Sequence, residues 1–105
     1  MGNSTAGCTA NVILLVGKTL YCANAGDARS VIWCENESVA LSKDHKPEDF
    51  TERERITKAG GTIMMGRVNG NLNLSRALGD FEYKQDSSIK PEEQLISCEP
   101  DIVVR

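Results

Sequence analysis

Two carboxylates in this chain directly follow glycines that could turn the backbone sharply: Asp27 in Asn24-Ala25-Gly26-Asp27-Ala28-Arg29 and Asp80 in Leu74-Ser75-Arg76-Ala77-Leu78-Gly79-Asp80. Each turn follows an apolar stretch, so its glycine can end a strand and aim the acid into a cleft instead of into a sheet. Carboxylate oxygens are the donors that hard divalent ions such as Mg²⁺ and Mn²⁺ want. The other reading of Asp27 is a turn residue that accepts backbone N–H bonds or pairs with Arg29. For Asp80, the neighbours Ser75 and Arg76 favour an internally hydrogen-bonded turn that shapes a cleft wall. Arg67, Asn69 and Gly70 form a further group. An arginine fork there suits phosphate or an acidic peptide. A solvated hairpin in which Arg67 shields a strand edge would use the same residues.

The elements that must carry these groups read as strands, one helix, then strands again. Cys8 to Val16 is nearly continuously apolar, the pattern of a strand buried on both faces. Gly17-Lys18 is a two-residue hairpin connection to Thr19 to Asn24. Ser30 to Cys34 and Ser38 to Leu41 should extend the pair into a meander, with Asn36-Glu37 between them. Asp49 and Glu52 make a capping-box-like helix start, Glu54 and Lys58 are spaced as an i,i+4 pair, and Gly60 stops the helix. Its apolar stripe, Phe50, Ile56 and Ala59, is narrow, so the helix should lie on the surface with one edge docked. Thr62 to Met65 and Asn71 to Leu74 read as strands around the loop Gly66 to Gly70. Asp86 to Gln94 is a polar loop, and Asp101 to Val104 behind Pro100 is a last strand.

Composition bounds the alternatives. The chain has 105 residues, 40% of them hydrophobic, which suits one small domain and not two. Its 12 basic and 15 acidic residues are interspersed and give a net charge of −3, so a nucleic-acid partner is not expected. Cys8, Cys22, Cys34 and Cys98 contain no Cys-x-x-Cys pair, and with a single histidine a zinc site of ordinary spacing is not expected. Cysteines inside apolar runs behave as small hydrophobes, which points to a reduced, intracellular setting. Met1-Gly2-Asn3-Ser4-Thr5-Ala6 begins like a myristoylation signal but has Ala6 where Ser or Thr belongs, so no lipid anchor is expected. Asn3-Ser4-Thr5 and Asn36-Glu37-Ser38 fit the glycosylation pattern but read as turns. Val12 to Val16 is too short to span a bilayer, and no membrane partner is expected. Gly60-Gly61 lacks the following lysine of a nucleotide-binding loop.

Taken in order, Gly7-Cys8-Thr9-Ala10, the Gly26-Asp27 turn, Asp44-His45-Lys46-Pro47, Arg55-Ile56 leading to Ala59-Gly60-Gly61, Arg67-Val68-Asn69-Gly70 and the Gly79-Asp80 turn closely resemble the type 2C, metal-dependent protein serine/threonine phosphatases. The resemblance runs from Gly7 to the end. It implies an α+β fold, part of a four-layered α-β-β-α antiparallel β-sandwich truncated at both ends. By that resemblance, residues 1–6 are a leader, 7–45 sandwich strands, 46–61 the helix, 62–80 the flap region and second Gly-Asp turn, and 81–105 a loop and last strand.

Activity in the family rests on two close divalent ions that clamp the phosphate and supply a bridging water as nucleophile. The segments that carry the principal ligands, an upstream Glu-Asp and Asp-Gly-His-Gly-Gly and a downstream Asp-Gly-x-Trp-Asp and Asp-Asn, have no counterpart here. The resemblance therefore implies Mg²⁺ or Mn²⁺ with main ligands outside this chain, and no catalytic residue within it. It also implies Asp27 as ligand to an additional, weaker metal, Arg67, Asn69 and Gly70 as the substrate-facing flap, and Thr9, Gly26, Arg76 and Asp80 as structural residues near the site. His45 is the one side chain with an ordinary pKa near neutrality. The family's proposed acid lies in a missing segment, and His45 is expected to order the approach to the helix. A phosphoprotein is the implied substrate. The chain alone should be inactive and should expose sandwich surface that favours self-association. The alternative is a non-catalytic phosphatase-like module that binds phosphoproteins or regulators, and a further one is an autonomous small β-rich domain.

Overall fold

Gly17 takes φ +60 without steric penalty, and the two-residue turn it begins closes an antiparallel hairpin between β2 (Ala10–Val16) and β3 (Thr19–Ala25). This computed structural model describes residues 4–105. The myristoylation-like start at Met1 and the glycosylation pattern at Asn3 both begin in residues 1–3, outside the described residues. The register runs from Ala10 opposite Ala25 to Val16 opposite Thr19. The last strand, β9 (Asp101–Val104), adds to the far edge of β3, giving the order β2-β3-β9.

The apolar run from Cys8 to Val16 is not one strand. It breaks at Thr9, because β1 (Gly7–Cys8) pairs with β8 (Leu78–Gly79) whereas β2 pairs with β3. Nor is β2 buried on both faces: Val12 is 57% exposed and its neighbour Ile13 44%, since β2 is an edge strand that the described residues leave uncovered. The expected meander is also interrupted. β4 (Val31–Cys34) and β5 (Glu37–Ala40) form their own hairpin, with Glu35 and Asn36 at φ 51 and 66 in its turn, because β9 already occupies the free edge of β3.

Helix α1 (Phe50–Lys58) starts at Asp49, but the expected capping box does not form: Asp49 makes no side-chain cap bond and Glu52 turns inward. The stop at Gly60 forms as expected. Gly60 has φ +91, its N–H reaches the Thr57 carbonyl at 3.0 Å, and the Gly61 N–H reaches the Ile56 carbonyl at 2.9 Å, the paired closure of a Schellman motif. The docked edge of the helix is Ile56 together with Glu52, while Phe50, expected on the apolar stripe, is 67% exposed.

Beyond the helix, two tight turns replace the expected open loop. β6 (Ile63–Met64) and β7 (Arg67–Val68) meet through Met65-Gly66, both at positive φ, and Asn71 to Leu74 contributes only a bridge from Leu72 to Val68. The apolar core lies here, under the helix: Ile56, Val68, Ala77 and Ile96 are fully buried, with Ile63, Leu72, Leu74, Tyr83 and Leu95 packed around them.

Burial therefore predicts which apolar residues of α1 carry stability. Ile56→Ala should cost about 2–4 kcal/mol through lost transfer energy and a residual cavity, whereas Phe50→Ala on the same helix should stay within about 0.5 kcal/mol. Urea unfolding of the two variants followed by far-UV circular dichroism checks the contrast.

Candidate functional site

The Gly26-Asp27 turn is held from three directions. Gly26 takes φ +120, and a Cβ there would lie 2.5 Å from Thr9 Cγ2 and 2.9 Å from the Arg76 carbonyl oxygen, so both the angle and the space demand glycine. Thr9, Gly26 and Arg76 are thereby brought together. Beneath the turn, Asn24 is buried and donates through Nδ2 to the Gly26 carbonyl at 3.2 Å and the Lys43 carbonyl at 3.0 Å. Its register partner Asn11 donates to Asn24 Oδ1 at 3.0 Å and to Ser42 Oγ at 3.2 Å, and accepts from Ser30 Oγ.

Three consecutive residues of the Asp44-His45-Lys46 turn grip the Gly26 to Arg29 segment. Asp44 pairs bidentately with Arg29, at 3.0 Å to Nε and 2.8 Å to Nη2, and these bonds hold the Asp44 carboxyl below its ordinary range. His45 accepts the Gly26 N–H at Nδ1 (3.0 Å), and its own backbone N–H donates to the Gly26 carbonyl at 2.9 Å. Lys46 Nζ donates to Asp27 Oδ2 at 2.7 Å and to the Asn73 carbonyl at 3.2 Å. The partner of Asp27 is thus Lys46, and Arg29 is spent on Asp44. Buried His45, which precedes the helix, also links this turn to β9 through its Nε2 and Asp101 Oδ2 at 2.8 Å.

From Asp101 a chain of charged groups runs back to the helix. Arg76 Nη1 donates to Asp101 Oδ1 at 3.0 Å, and its Nε and Nη2 donate to Glu52 at 3.0 and 2.7 Å. Glu52 Oε1 also accepts from Arg55 Nη1 and from Ser75 Oγ, each at 2.8 Å. Arg55 in turn donates to the Gln94, Ser75 and Leu95 carbonyls. Burial pushes the Glu52 carboxyl up, but hydrogen bonds from Arg76, Arg55 and Ser75 outweigh it and hold the pKa down at about 2. Asp101 is likewise raised by burial and, more strongly, lowered by His45 and Arg76.

The second Gly-Asp turn is built differently. Ser75 and Arg76 serve Glu52 and Asp101, not Asp80, so the expected Ser75-Arg76-Asp80 turn network does not form. Asp80 takes the left-handed conformation (φ 50, ψ 47), its N–H bonds the Ala6 carbonyl at 3.0 Å, and its carboxylate fills the space that a Cβ at Gly7 would need.

Arg67, Asn69 and Gly70 stand together at the end of the β6–β7 hairpin. Arg67 Nη1 donates to the Asn71 carbonyl at 2.9 Å, Asn69 accepts the Thr62 N–H at 2.9 Å, and the Gly70 N–H bonds the Arg67 carbonyl at 3.2 Å. No hydrogen bond or ion pair among the described residues joins this group to Asp27.

A divalent-metal pair needs several converging carboxylates. Among the described residues no three His, Cys, Asp or Glu side chains converge, and the one candidate, Asp27, already holds an ammonium. The residues present do not build that metal pair. Sequence reasoning missed Glu52, Arg55 and Asp101 as organisers. The available signal was Glu52 falling four residues before Ile56, on the face the helix buries.

Comparison with known proteins places this arrangement. The sequence profile described as Protein phosphatase 2C matches residues 2–105. The chain belongs to the protein phosphatase 2C family. It is 62% identical over 101 residues to "Probable protein phosphatase 2C 5" of Paramecium tetraurelia, covering 96% of this chain and 34% of that protein. To "Protein phosphatase 2C homolog 2" of Schizosaccharomyces pombe it is 52% identical, covering 99% of this chain and 28% of that protein. The chain thus spans about a third of the length of these relatives. A crystal structure of a phosphatase from Toxoplasma gondii superposes with a TM-score of 0.80 at 40% identity, over 82% of this chain and 27% of that one. A C. elegans sex determining protein superposes at 0.69 and 34% identity, over 84% of this chain and 20% of that one. The α+β class, antiparallel sheets with one helix, is that of a phosphatase 2C domain in part.

The charge chain makes stability depend on acid. Glu52 titrates near 2 when folded against an ordinary value of 4.5, so its contribution is full above pH 4.5 and is lost as pH falls toward 2. That contribution is roughly 3 kcal/mol, since each tenfold change in proton affinity between the folded and unfolded chain is worth about 1.36 kcal/mol. Glu52→Gln, which leaves Arg76 and Arg55 partly unpaired, should cost about 3–5 kcal/mol at neutral pH and flatten the loss below pH 4.5. Urea midpoints measured across that range check both outcomes.

Proposed function

We propose that this chain is a segment of a protein serine/threonine phosphatase that hydrolyses phosphoserine and phosphothreonine in proteins with a Mg²⁺- or Mn²⁺-activated water. The principal metal ligands in this reading come from residues outside the chain. The observation that carries it is the Gly26-Asp27 turn, assembled in full and gripped residue by residue, within a chain that matches the phosphatase 2C profile over residues 2–105. In this reading Asp27 is the outer ligand of an additional ion, and Arg67, Asn69 and Gly70 face the phosphoprotein. Four unpaired cysteines support a reduced, intracellular setting. The alternative, a non-catalytic module binding phosphoproteins or regulators, would carry the same turn without the ligands elsewhere.

Among the described residues no metal-binding set of carboxylates converges, and apolar strands are left open, with Leu15 64% and Val104 59% exposed. The chain alone should show no Mn²⁺-dependent hydrolysis of a phosphothreonine peptide above background, and in analytical ultracentrifugation it should shift to larger species as concentration rises. Turnover retained after repurification, or a monomer at every concentration, would overturn this reading of the isolated chain.

In a full-length phosphatase carrying this segment, the two Gly-Asp turns should separate by their responses. Asp27→Ala should lower turnover and its response to added Mn²⁺ with little change in unfolding temperature, because Asp27 sits in a partly exposed pair. Asp80→Ala, which empties the space beside Gly7, should lower the unfolding temperature first. The reverse pattern in steady-state kinetics and calorimetry would exchange the two assignments.

A further inference from the structure

We propose that His45 is a positioning residue: its neutral imidazole, protonated on Nε2, couples the Gly26-Asp27 turn to Asp101 and through Arg76 to helix α1. The inference rests on the reading that this turn serves the phosphatase site. The tautomer follows from the bonds. Nδ1 lies 3.0 Å from the Gly26 nitrogen, which can only donate, so Nδ1 carries a lone pair. Nε2 lies 2.8 Å from Asp101 Oδ2, an acceptor, so Nε2 carries the proton.

The ring has no freedom to exchange these roles. His45 is 4% exposed, its backbone N–H is fixed on the Gly26 carbonyl at 2.9 Å, and its carbonyl accepts the Ser75 N–H at 3.3 Å. Asp101 is anchored from its other oxygen by Arg76, so the position of the ring is set by the same guanidinium that holds Glu52. Asp44 and Lys46, on either side of His45, fix Arg29 and the Asp27 carboxylate. A side chain that only filled space would need neither nitrogen. Here one nitrogen holds the turn and the other holds the network.

Two substitutions separate these functions. In His45→Asn the Oδ1 falls near the place of Nδ1 and can accept the Gly26 N–H, but the side chain does not reach Asp101. In His45→Gln the Nε2 reaches Asp101 while the acceptor for Gly26 is lost. Both should lower the unfolding temperature of a full-length phosphatase carrying this segment, since each loses one buried bond. His45→Gln should also lower kcat about tenfold at unchanged KM for a phosphothreonine peptide, the cost of about one buried hydrogen bond. His45→Asn should restore kcat to within about threefold of the parent. Equal kcat for the two variants, or losses that follow unfolding temperature alone, would overturn the proposal.

If His45→Gln does not fold, the parent protein decides the question. Long-range ¹H–¹⁵N spectra of the imidazole should show the Nε2–H tautomer, and the Gly26 amide should exchange as slowly as the amides of β3. An Nδ1–H tautomer or a fast Gly26 amide would overturn it. A parent without Mn²⁺-dependent turnover would defeat the phosphatase reading, while the tautomer and exchange measurements would still decide the role of His45.

Discussion

The structure depends on one buried carboxylate. Glu52 sits on the inner face of α1 with its side chain 4% exposed, and a charge so placed is tolerated only when its lone pairs are filled by well-placed donors. Arg76, Arg55 and Ser75 supply them. Each donor belongs to a segment that must therefore stay where it is. Arg76 fixes the strand leading into β8, and Arg55 reaches three carbonyls between Ser75 and Leu95. The acid thus does for the helix what a wider apolar stripe would do elsewhere, and it adds direction that apolar contact lacks.

That substitution of charge for apolar area follows from how little the helix can bury. Ile56 is its one fully buried apolar residue, and the cluster it joins contains only Val68, Ala77 and Ile96 at full burial. Apolar contact can draw α1 toward the β6–β7 hairpin, but it does not set the rotation of the helix about its own axis. A guanidinium with two bonds to one carboxylate does set it. Buried ion pairs are weak evidence for net stability, and their value here is geometric: with Glu52 placed, Arg76 is placed, then Asp101, then His45 and the Gly26 turn.

Local elements were legible in the sequence where a residue type has one cheap solution. Gly17-Lys18, Gly60 and the strand behind Pro100 all fall where backbone chemistry puts them. What could not be read was partnership. The run from Cys8 to Val16 is nearly continuously apolar, yet it divides at Thr9 between two sheets, because β2 pairs with β3 across the adjacent turn while β1 pairs with β8, a strand far along the chain. Glu52 looked like the second half of a capping box since the spacing to Asp49 is right, and only the arrival of Arg76 from a distant loop shows the carboxylate a stronger set of donors. At the site, Thr9 and the Arg76 carbonyl close on Gly26 while Asp80 lies apart beside Gly7, and the lysine that holds Asp27 and the aspartate that holds His45 come from segments whose proximity no spacing records.

The two Gly-Asp turns show the same limit within a single dipeptide. Gly26 and Gly79 both adopt positive φ and both precede an aspartate, but their surroundings differ. Around Gly26 the space on the Cβ side is closed by Thr9 and by the Arg76 carbonyl, so the chain leaves outward and Asp27 ends partly exposed, held by a flexible lysine that other charges could displace. Around Gly79 the neighbouring strand carries Gly7, whose missing side chain leaves a space, and the left-handed Asp80 folds its carboxylate into it. A carboxylate that fills a gap between strands is committed to packing. One that meets solvent across a single ammonium fills no such gap, and so Gly7, as much as the Gly-Asp pair itself, sets the surroundings of the two acids apart.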